Sequence, residues 1–401
     1  MTYDRKLLYT LTLNYFNGAS ALNDKNLLTA HKIAELVTQS GGRVFYVGGY
    51  VRDSVMKRVS KDIDIEVHGL ELSELVKILE ALGQVQTMGA SFEILNLKHY
   101  QLDISLPEDV NGGTYKAALR RDFTINALMQ DVMTGEILDY FGGLADIRNK
   151  VIRAVSQKTF ELDPLRVFRA ARFASVLNFR LDDGTIKLAS RVKVDSLPCE
   201  RVMNELSLSL LKSNEPAKFF DVLNNSTQSG YWFGEVKNVP DLTKILNPAS
   251  SVKDSAREKL YFMMSALCYE LDEDSCEKFL TRLTVEARLI KYVLNMKKLL
   301  PELIIAQSEE SYMKIFDEAV CAKDLLLLAN LIDDSNSQER ENYLELYTSR
   351  MSEPYLTGHD LISAGFEQGV RLGQALKYAH ELRLRGFTKE QQLELTLALR
   401  L

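Results

Sequence analysis

The sequence predicts an α+β protein in which a small α/β head is followed by an all-α neck, body and tail. Three observations predict it. Between residues 43 and 106 short β-rich runs alternate with helical spacing, after Asp146 the apolar period is helical almost to the end, and only 8 prolines punctuate 401 residues. At 46% hydrophobic and 26% charged residues the chain has enough apolar surface for real cores, and its length suits about two or three domains.

The elements follow in order. Residues 1–40 read as an amphipathic helical extension with a polar break at Asn17–Asn23. Leu27, Leu28, Ile33, Leu36 and Val37 recur at helical spacing until Gly41 and Gly42 stop the pattern. Val44–Val47, Ile63–Val67, Phe92–Leu97 and Gln101–Leu106 read as strands, and Leu72–Leu82 as a helix. Asn111-Gly112-Gly113 and Gly142-Gly143 are turn signals, so the head is expected over 41–155. A helical neck is expected over 156–225 and a helical body over 226–350, the latter beginning in the polar stretch Asn224–Gly230. A helical tail over 351–401 is set off by Ser349–Pro354. Body stripes such as Phe279, Leu280, Leu283, Ala287 and Ile290 read as packing surfaces, and Trp232 as core.

Composition narrows the function. No run approaches the roughly 18 apolar residues of a membrane span, and Met1–Lys6 lacks the order of a signal peptide. Four cysteines, Cys199, Cys268, Cys276 and Cys321, form no C-x-x-C pair, so neither a disulfide framework nor a zinc cluster is expected. These features lead to the expectation of a cytoplasmic protein with no membrane partner. The formal charge of −6 excludes a generally basic nucleic-acid coat. Locally the balance reverses, because eleven lysines and arginines face four acids between Arg148 and Lys193. A polyanion can sit there, although a solvated helical surface has the same composition.

In Lys61-Asp62-Ile63-Asp64-Ile65-Glu66-Val67 the two-residue period puts Asp62 and Asp64 on one face while Ile63, Ile65 and Val67 turn to the core. Converging carboxylates repel unless a cation neutralises them, and hard oxygen ligands suit Mg²⁺. Upstream, in Gly48-Gly49-Tyr50-Val51-Arg52-Asp53, a strand meets two glycines and then a helix. Glycines allow close approach of backbone amides to phosphate, and Arg52 offers a fork of donors. Alternatively this is a tight turn with Arg52 paired to an acid.

G-G-x-V-R-D followed by D-I-D-I resembles the head of class II nucleotidyltransferases, the bacterial tRNA CCA-adding enzymes and their poly(A) polymerase relatives. More of the pattern follows in order. Arg120-Arg121-Asp122-Phe123-Thr124-Ile125-Asn126-Ala127 is similar to the family's ribose-binding motif, and Asp139–Asp146 to its flexible link between head and neck. Asp163-Pro164-Leu165-Arg166-Val167-Phe168-Arg169-Ala170-Ala171-Arg172-Phe173-Ala174 resembles the base-selecting motif, and Glu200–Leu206 the neck helix after it. The resemblance covers residues 43–215 and implies a polymerase-β-like nucleotidyltransferase head.

It also implies roles. Asp62 and Asp64 would hold Mg²⁺, with Asp103 as a third catalytic carboxylate or else a structural surface acid. Gly48, Gly49 and Arg52 would face the phosphates. In the ribose motif Asp122 would accept from sugar hydroxyls while Arg121 and Asn126 donate to sugar or phosphate oxygens. Cytosine and adenine both present an amine donor beside a ring-nitrogen acceptor, and a carboxylate next to a guanidinium matches that edge. Asp163 and Arg166, three apart, can form it, and would leave uracil and guanine with unpaired polar atoms. Alternatively Asp163 caps a helix and Arg166 is an ion-pair partner. Arg169 and Arg172 would hold phosphate or order the pair.

The expected activity is template-independent addition of CMP and AMP to the 3′ end of tRNA, from CTP and ATP, with release of pyrophosphate. Two departures bear on it. Leu162 stands where the family usually has Glu before the aspartate, and the stretch 107–119, associated in the family with the switch from C to A addition, is short. A CC-adding partial enzyme therefore remains an alternative. So do a poly(A) polymerase, disfavoured by the lack of a long basic C-terminal tail, and an RNA-binding protein on an inactive scaffold. Leu260–Leu271 carries no His-Asp pair, so no hydrolase activity is expected. His359-Asp360 reads as a helix cap rather than a metal site. Oligomeric state is not legible.

Overall fold

A computed structural model describes residues 21–60, 62–88, 94–228, 230–236, 242–251 and 256–398. Residues 1–20 of the expected N-terminal helix, and with them its break at Asn17, lie outside the described residues, as do Lys61 and Phe92. Contacts gather the chain into two units, residues 1–197 with 225–228, and residues 198–224 with 229–401. The first half of the expected neck thus packs with the head, and the helix Cys199–Lys212 with the helices of the body and tail.

The first unit is built on a mixed sheet, seven-stranded among the described residues, in the order β3-β4-β5-β2-β1-β6-β7. Its strands are β1 (Arg43–Val47), β2 (Ile63–His68), β3 (Val85–Met88), β4 (Ile94–Leu97), β5 (Leu102–Ser105), β6 (Met129–Asp131) and β7 (Ile137–Leu138). β2 runs parallel to β5 and antiparallel to β1. The alternation that predicts β2 is realised at its start, where Ile63 and Ile65 are fully buried and Asp64 is half-buried. Helix α1 (Ala21–Gln39) lays Ala30, Ile33, Ala34 and Val37 against the sheet, all without exposure. The described part of the expected extension is therefore part of the head's packing: an apolar helix face of this kind must be covered.

Helix α2 (Gly49–Val55) leaves the end of β1, and α3 (Leu72–Glu80) and α4 (Gly113–Leu119) follow. Beyond the sheet come α5 (Gly143–Asn149), β8 (Val151–Ile152), α6 (Gln157–Leu162), α7 (Arg166–Leu177), β9 (Arg180–Leu181) and α8 (Asp183–Ala189). The helical period expected after Asp146 is thus interrupted by a two-stranded parallel pair, Val151 opposite Arg180 and Ile152 opposite Leu181. Asn178, left-handed at φ 56°, ends α7 and turns the chain into β9. Strands of two residues carry no readable period.

The segment Asp139–Asp146, a flexible link by resemblance, is anchored at both ends here. The Asp139 carboxylate accepts from the Gly143 and Leu144 N–H groups at 2.8 and 3.0 Å, satisfying the start of α5. Asp146 accepts from Thr124 Oγ1 at 2.7 Å and from Arg153 Nε at 3.1 Å. Gly143 sits against the 3-10 turn Thr124–Asn126 so closely that a Cβ would lie 2.3 Å from the Thr124 carbonyl oxygen. Gly143→Ala is expected to cost about 3 kcal/mol in urea unfolding, since backbone must move to admit it. Gly373→Ala, in a helix interior with nothing within 4 Å, should instead gain roughly 0.5–1 kcal/mol.

The second unit is all-helical among its described residues. Trp232 and Phe233 are buried as expected of core, with Phe233 edge-on to Phe219 and Phe279. The expected stripe over Phe279–Ile290 is two helices, Glu273–Leu283 and Ala287–Ile305. Thr284 is extended between them and its hydroxyl accepts from the Glu286 N–H at 3.1 Å, so Phe279, Leu280 and Leu283 are buried while Ala287 is exposed. Asp360 closes a capping box with Thr357 on the helix Gly358–Ser363, which is the capping role read from the sequence. No helix among the described residues is long and apolar enough to cross a membrane.

Candidate active site

β1 delivers the chain to Gly48, whose φ of 64° and ψ of −130° an L side chain rarely adopts. A Cβ there would stand 3.7 Å from Asp64 Oδ2 and 3.8 Å from Arg121 Nη1. The turn thus passes between a carboxylate of β2 and a guanidinium of the segment after α4. Gly49 opens α2 with its Cβ position 3.6 Å from Arg52 Nη2.

Asp62 is exposed just before β2, Asp64 is half-buried on it, and Asp103 is exposed on β5 in direct register with Asp64. Paired residues of neighbouring strands point to the same face, so Asp64 and Asp103 share one. The Asp64 carboxyl is pushed up to about 6, first by burial and then by the charges of Asp103 and Asp62, with Arg121 opposing them. Among the described residues, no three histidine, cysteine, aspartate or glutamate side chains are gathered closely enough to hold a metal ion.

Behind the turn lies a buried polar network. Asp122, 6% exposed, accepts from the Phe123 N–H at 2.7 Å and Asn126 Nδ2 at 3.0 Å on one oxygen, and from Arg169 Nε and Nη2 at 2.8 and 2.6 Å on the other. Burial pushes its carboxyl up, but the Arg169 charge and these hydrogen bonds outweigh that and hold it below the usual range. Asn126 Oδ1 accepts in turn from Arg52 Nη1 at 2.8 Å, and Arg52 also bonds Asp53 through Nε and Nη2. Phe173 of α7 collects three guanidinium groups over its ring, Arg172 at 4.0 Å, Arg52 at 5.2 Å and Arg169 at 5.5 Å. Arg166 donates to the Arg120 carbonyl at 2.7 Å and the Arg121 carbonyl at 3.4 Å. Burial lowers its pKa, against the opposing charges of Asp122 and Asp163.

Residues 44–153 match the family described as the poly A polymerase head domain. The chain is 28% identical over 378 residues to the CCA-adding enzyme of Levilactobacillus brevis, covering 86% of this chain and 91% of that protein. It is 38% identical over 165 residues to the CC-adding tRNA nucleotidyltransferase of Geobacter sulfurreducens, covering 39% of this chain and 37% of that protein. A solved complex of a CCA-adding enzyme with CTP superposes with a TM-score of 0.75 at 23% identity over 98% of both chains, which shows the fold. Residues 44–153 thus carry a poly A polymerase head domain, on a chain similar along most of its length to CCA-adding enzymes.

The fold gives each expected site residue a definite setting. Gly48, Asp64, Asp103 and Arg121 come together at one turn. Two assignments change. Arg52 is buried and tied to Asp53 and Asn126, the alternative weighed for it, rather than presenting a free fork. Asp122 has four donors on its two oxygens, so it orders Asn126 and Arg169 instead of offering an open acceptor to a sugar. Asp163 lies between α6 and α7, its carboxylate accepting from the Leu165 N–H at 3.2 Å, an Asx turn into the helix. Leu162 beside it is 73% exposed.

Sequence reasoning missed Glu66 and His68, and gave Phe173, within the base-selecting motif, no role of its own. Glu66 and His68 continue the two-residue period of Asp62 and Asp64, and that continuation was the available signal. In the fold Glu66 accepts from Arg121 Nη2 at 2.9 Å and lies 2.8 Å from His68 Nε2. Burial pushes its carboxyl up, and the His68 hydrogen bond and the Arg121 charge more than offset that. Members of such nucleotidyltransferase families use divalent metal ions. The donors present fit one: they are hard carboxylate oxygens, and the Asp64 carboxyl is raised first by burial and then by the Asp103 and Asp62 charges, a combination that a divalent cation would offset.

Proposed function

We propose that this chain extends the 3′ end of tRNA without a template, adding CMP and AMP from CTP and ATP and releasing pyrophosphate. The observation that carries this reading is the sharing of one short segment by two functions. Arg166 hangs on the carbonyls of Arg120 and Arg121, while the side chain of Arg121 reaches Gly48 and Asp64. On this reading one segment, through its carbonyls and the Arg121 side chain, sets the spacing between Arg166 at the base and Arg121 at the phosphates. Similarity to CCA-adding enzymes along most of the chain supports it. The proposed setting is the cytoplasm.

Asp62 and Asp64 would hold Mg²⁺, with Asp103 supporting them through charge. Held there, the ion would supply positive charge that offsets the triphosphate and favours the ionised 3′-hydroxyl. The terminal 3′-oxygen of the RNA forms a bond to the α-phosphorus, the bond to the bridging oxygen breaks, and the hydroxyl proton leaves to solvent. Arg121, beside the Gly48 turn, meets the negative charge of the triphosphate. Asp163 accepts from the exocyclic amine of cytosine or adenine, and Arg166 donates to the ring nitrogen beside it. Arg169 and Arg172 order this edge through Asp122 and Phe173.

The test is incorporation on tRNAs lacking one, two or three terminal nucleotides. CTP should add twice and stop, and ATP should then add once. Arrest after two cytidines would instead assign a CC-adding enzyme, the reading favoured by the short stretch 107–119 and by the local 38% identity to such an enzyme. Unlimited runs of A would assign a poly(A) polymerase, and RNA binding without any incorporation an inactive scaffold. Arg166→Ala should lower discrimination of CTP over UTP by about 10–200-fold, the scale of a lost polar contact to a base.

A further inference from the structure

We propose that Glu66, braced by His68, is the positioning residue that holds Arg121 in place to grip the nucleotide triphosphate at the Gly48 turn. The inference rests on the nucleotidyl-transfer reading and extends it to two side chains outside the motifs. Glu66 and His68 are buried on β2, two and four residues beyond Asp64. One Glu66 oxygen accepts from Arg121 Nη2 at 2.9 Å and the other meets His68 Nε2 at 2.8 Å. The ring of His68 is itself set edge-on against Phe45 at 5.4 Å. Glu66 therefore has both oxygens fixed, and one side of the Arg121 fork is fixed with it. The other side, Nη1, is the one found 3.8 Å from the Gly48 Cβ position.

A second buried acid beside Asp64 has a physical purpose in this arrangement. Arg121 is a long cation between two carboxylates, and an untethered guanidinium would turn to Asp64, the other acid at the turn. That pairing would neutralise the group the metal needs and withdraw the donor from the phosphates. By occupying Nη2, Glu66 keeps Arg121 available as a charge without letting it settle on Asp64. Charge-assisted hydrogen bonds of this kind are the strong ones, and a planar guanidinium keeps its direction when one side is held.

The experiment is a double-mutant cycle on the intact chain, read as CTP binding with Mg²⁺ by calorimetry and as KM and kcat on tRNA. Glu66→Gln, nearly the same shape, should weaken CTP binding about tenfold, the loss of a charge-assisted bond. It should raise KM more than it lowers kcat. Arg121→Ala should weaken binding at least as much, and the double variant should match Arg121→Ala alone, because Glu66 acts through that side chain. If Glu66→Gln does not fold, His68→Gln is read in its place, with a weakening of about threefold. Unchanged CTP affinity in Glu66→Gln, or losses that multiply in the double variant, would overturn the proposal. Wild-type protein that binds CTP and shows this cycle but extends no tRNA would refute the function and leave the clamp standing; wild type that binds no CTP would refute both.

Discussion

Asp64→Ala is expected to reduce CMP incorporation by about a thousandfold or more while leaving the fold more stable than before. The loss follows from the position of Asp64, the carboxylate at the Gly48 turn, and from the scale on which removing one electrostatic group from a transfer site slows the reaction. The stability gain follows from its environment. A carboxyl whose folded value stands near 6 against an ordinary 3.8 is less favourably ionised in the fold than in the unfolded chain. The folded state then binds more protons between those values, so stability falls as pH rises through the window. At pH 7 the ionised group costs on the order of 1–3 kcal/mol. In chelator-treated protein Asp64→Ala should therefore raise the melting temperature at pH 7, and the advantage should vanish below about pH 4. Equal melting curves at pH 7 would sink the electrostatic account; retained turnover would sink the catalytic one.

Arg169→Ala should act in the opposite sense, on stability first. Asp122 is buried, and Arg169 supplies two of its four hydrogen bonds and the nearest compensating charge. Stripping the partner from a buried ion pair costs roughly 3–5 kcal/mol because a charge is left without compensation. The folded carboxyl lies below its ordinary value, so its contribution is present above about pH 4 and is lost as pH falls through the folded value. The gap between variant and wild type, measured by urea unfolding, should be widest near neutrality and close in acid. Removing both charges in Asp122→Asn with Arg169→Met should cost less than Arg169→Ala alone. A deficit independent of pH would show that packing, not charge, ties α7 to the ribose-like motif.

The legible part of the site was the part written in local pattern. Ile63–Val67 alternates, a glycine pair ends β1 and a helix follows, and all three survive in the fold. β6, β7, β8 and β9 did not register, since two or three residues are too few to show a period, and β3 was passed over as well. Asp122 was read as an acceptor for substrate because its residue type permits it. That Arg169, 47 positions away, fills one of its oxygens is a tertiary fact with no sequence period. The break at Thr284 was hidden for a related reason: apolar residues on both sides keep helical spacing, and only the extended backbone separates them.

Arg166 is suspended from two main-chain oxygens, which every residue type supplies, rather than from side chains. Its perch therefore survives replacement of either neighbour at 120 or 121. With the proposed roles, in which Arg121 grips the nucleotide and Arg166 chooses the base, variation at 121 would change the grip while leaving the base choice in place.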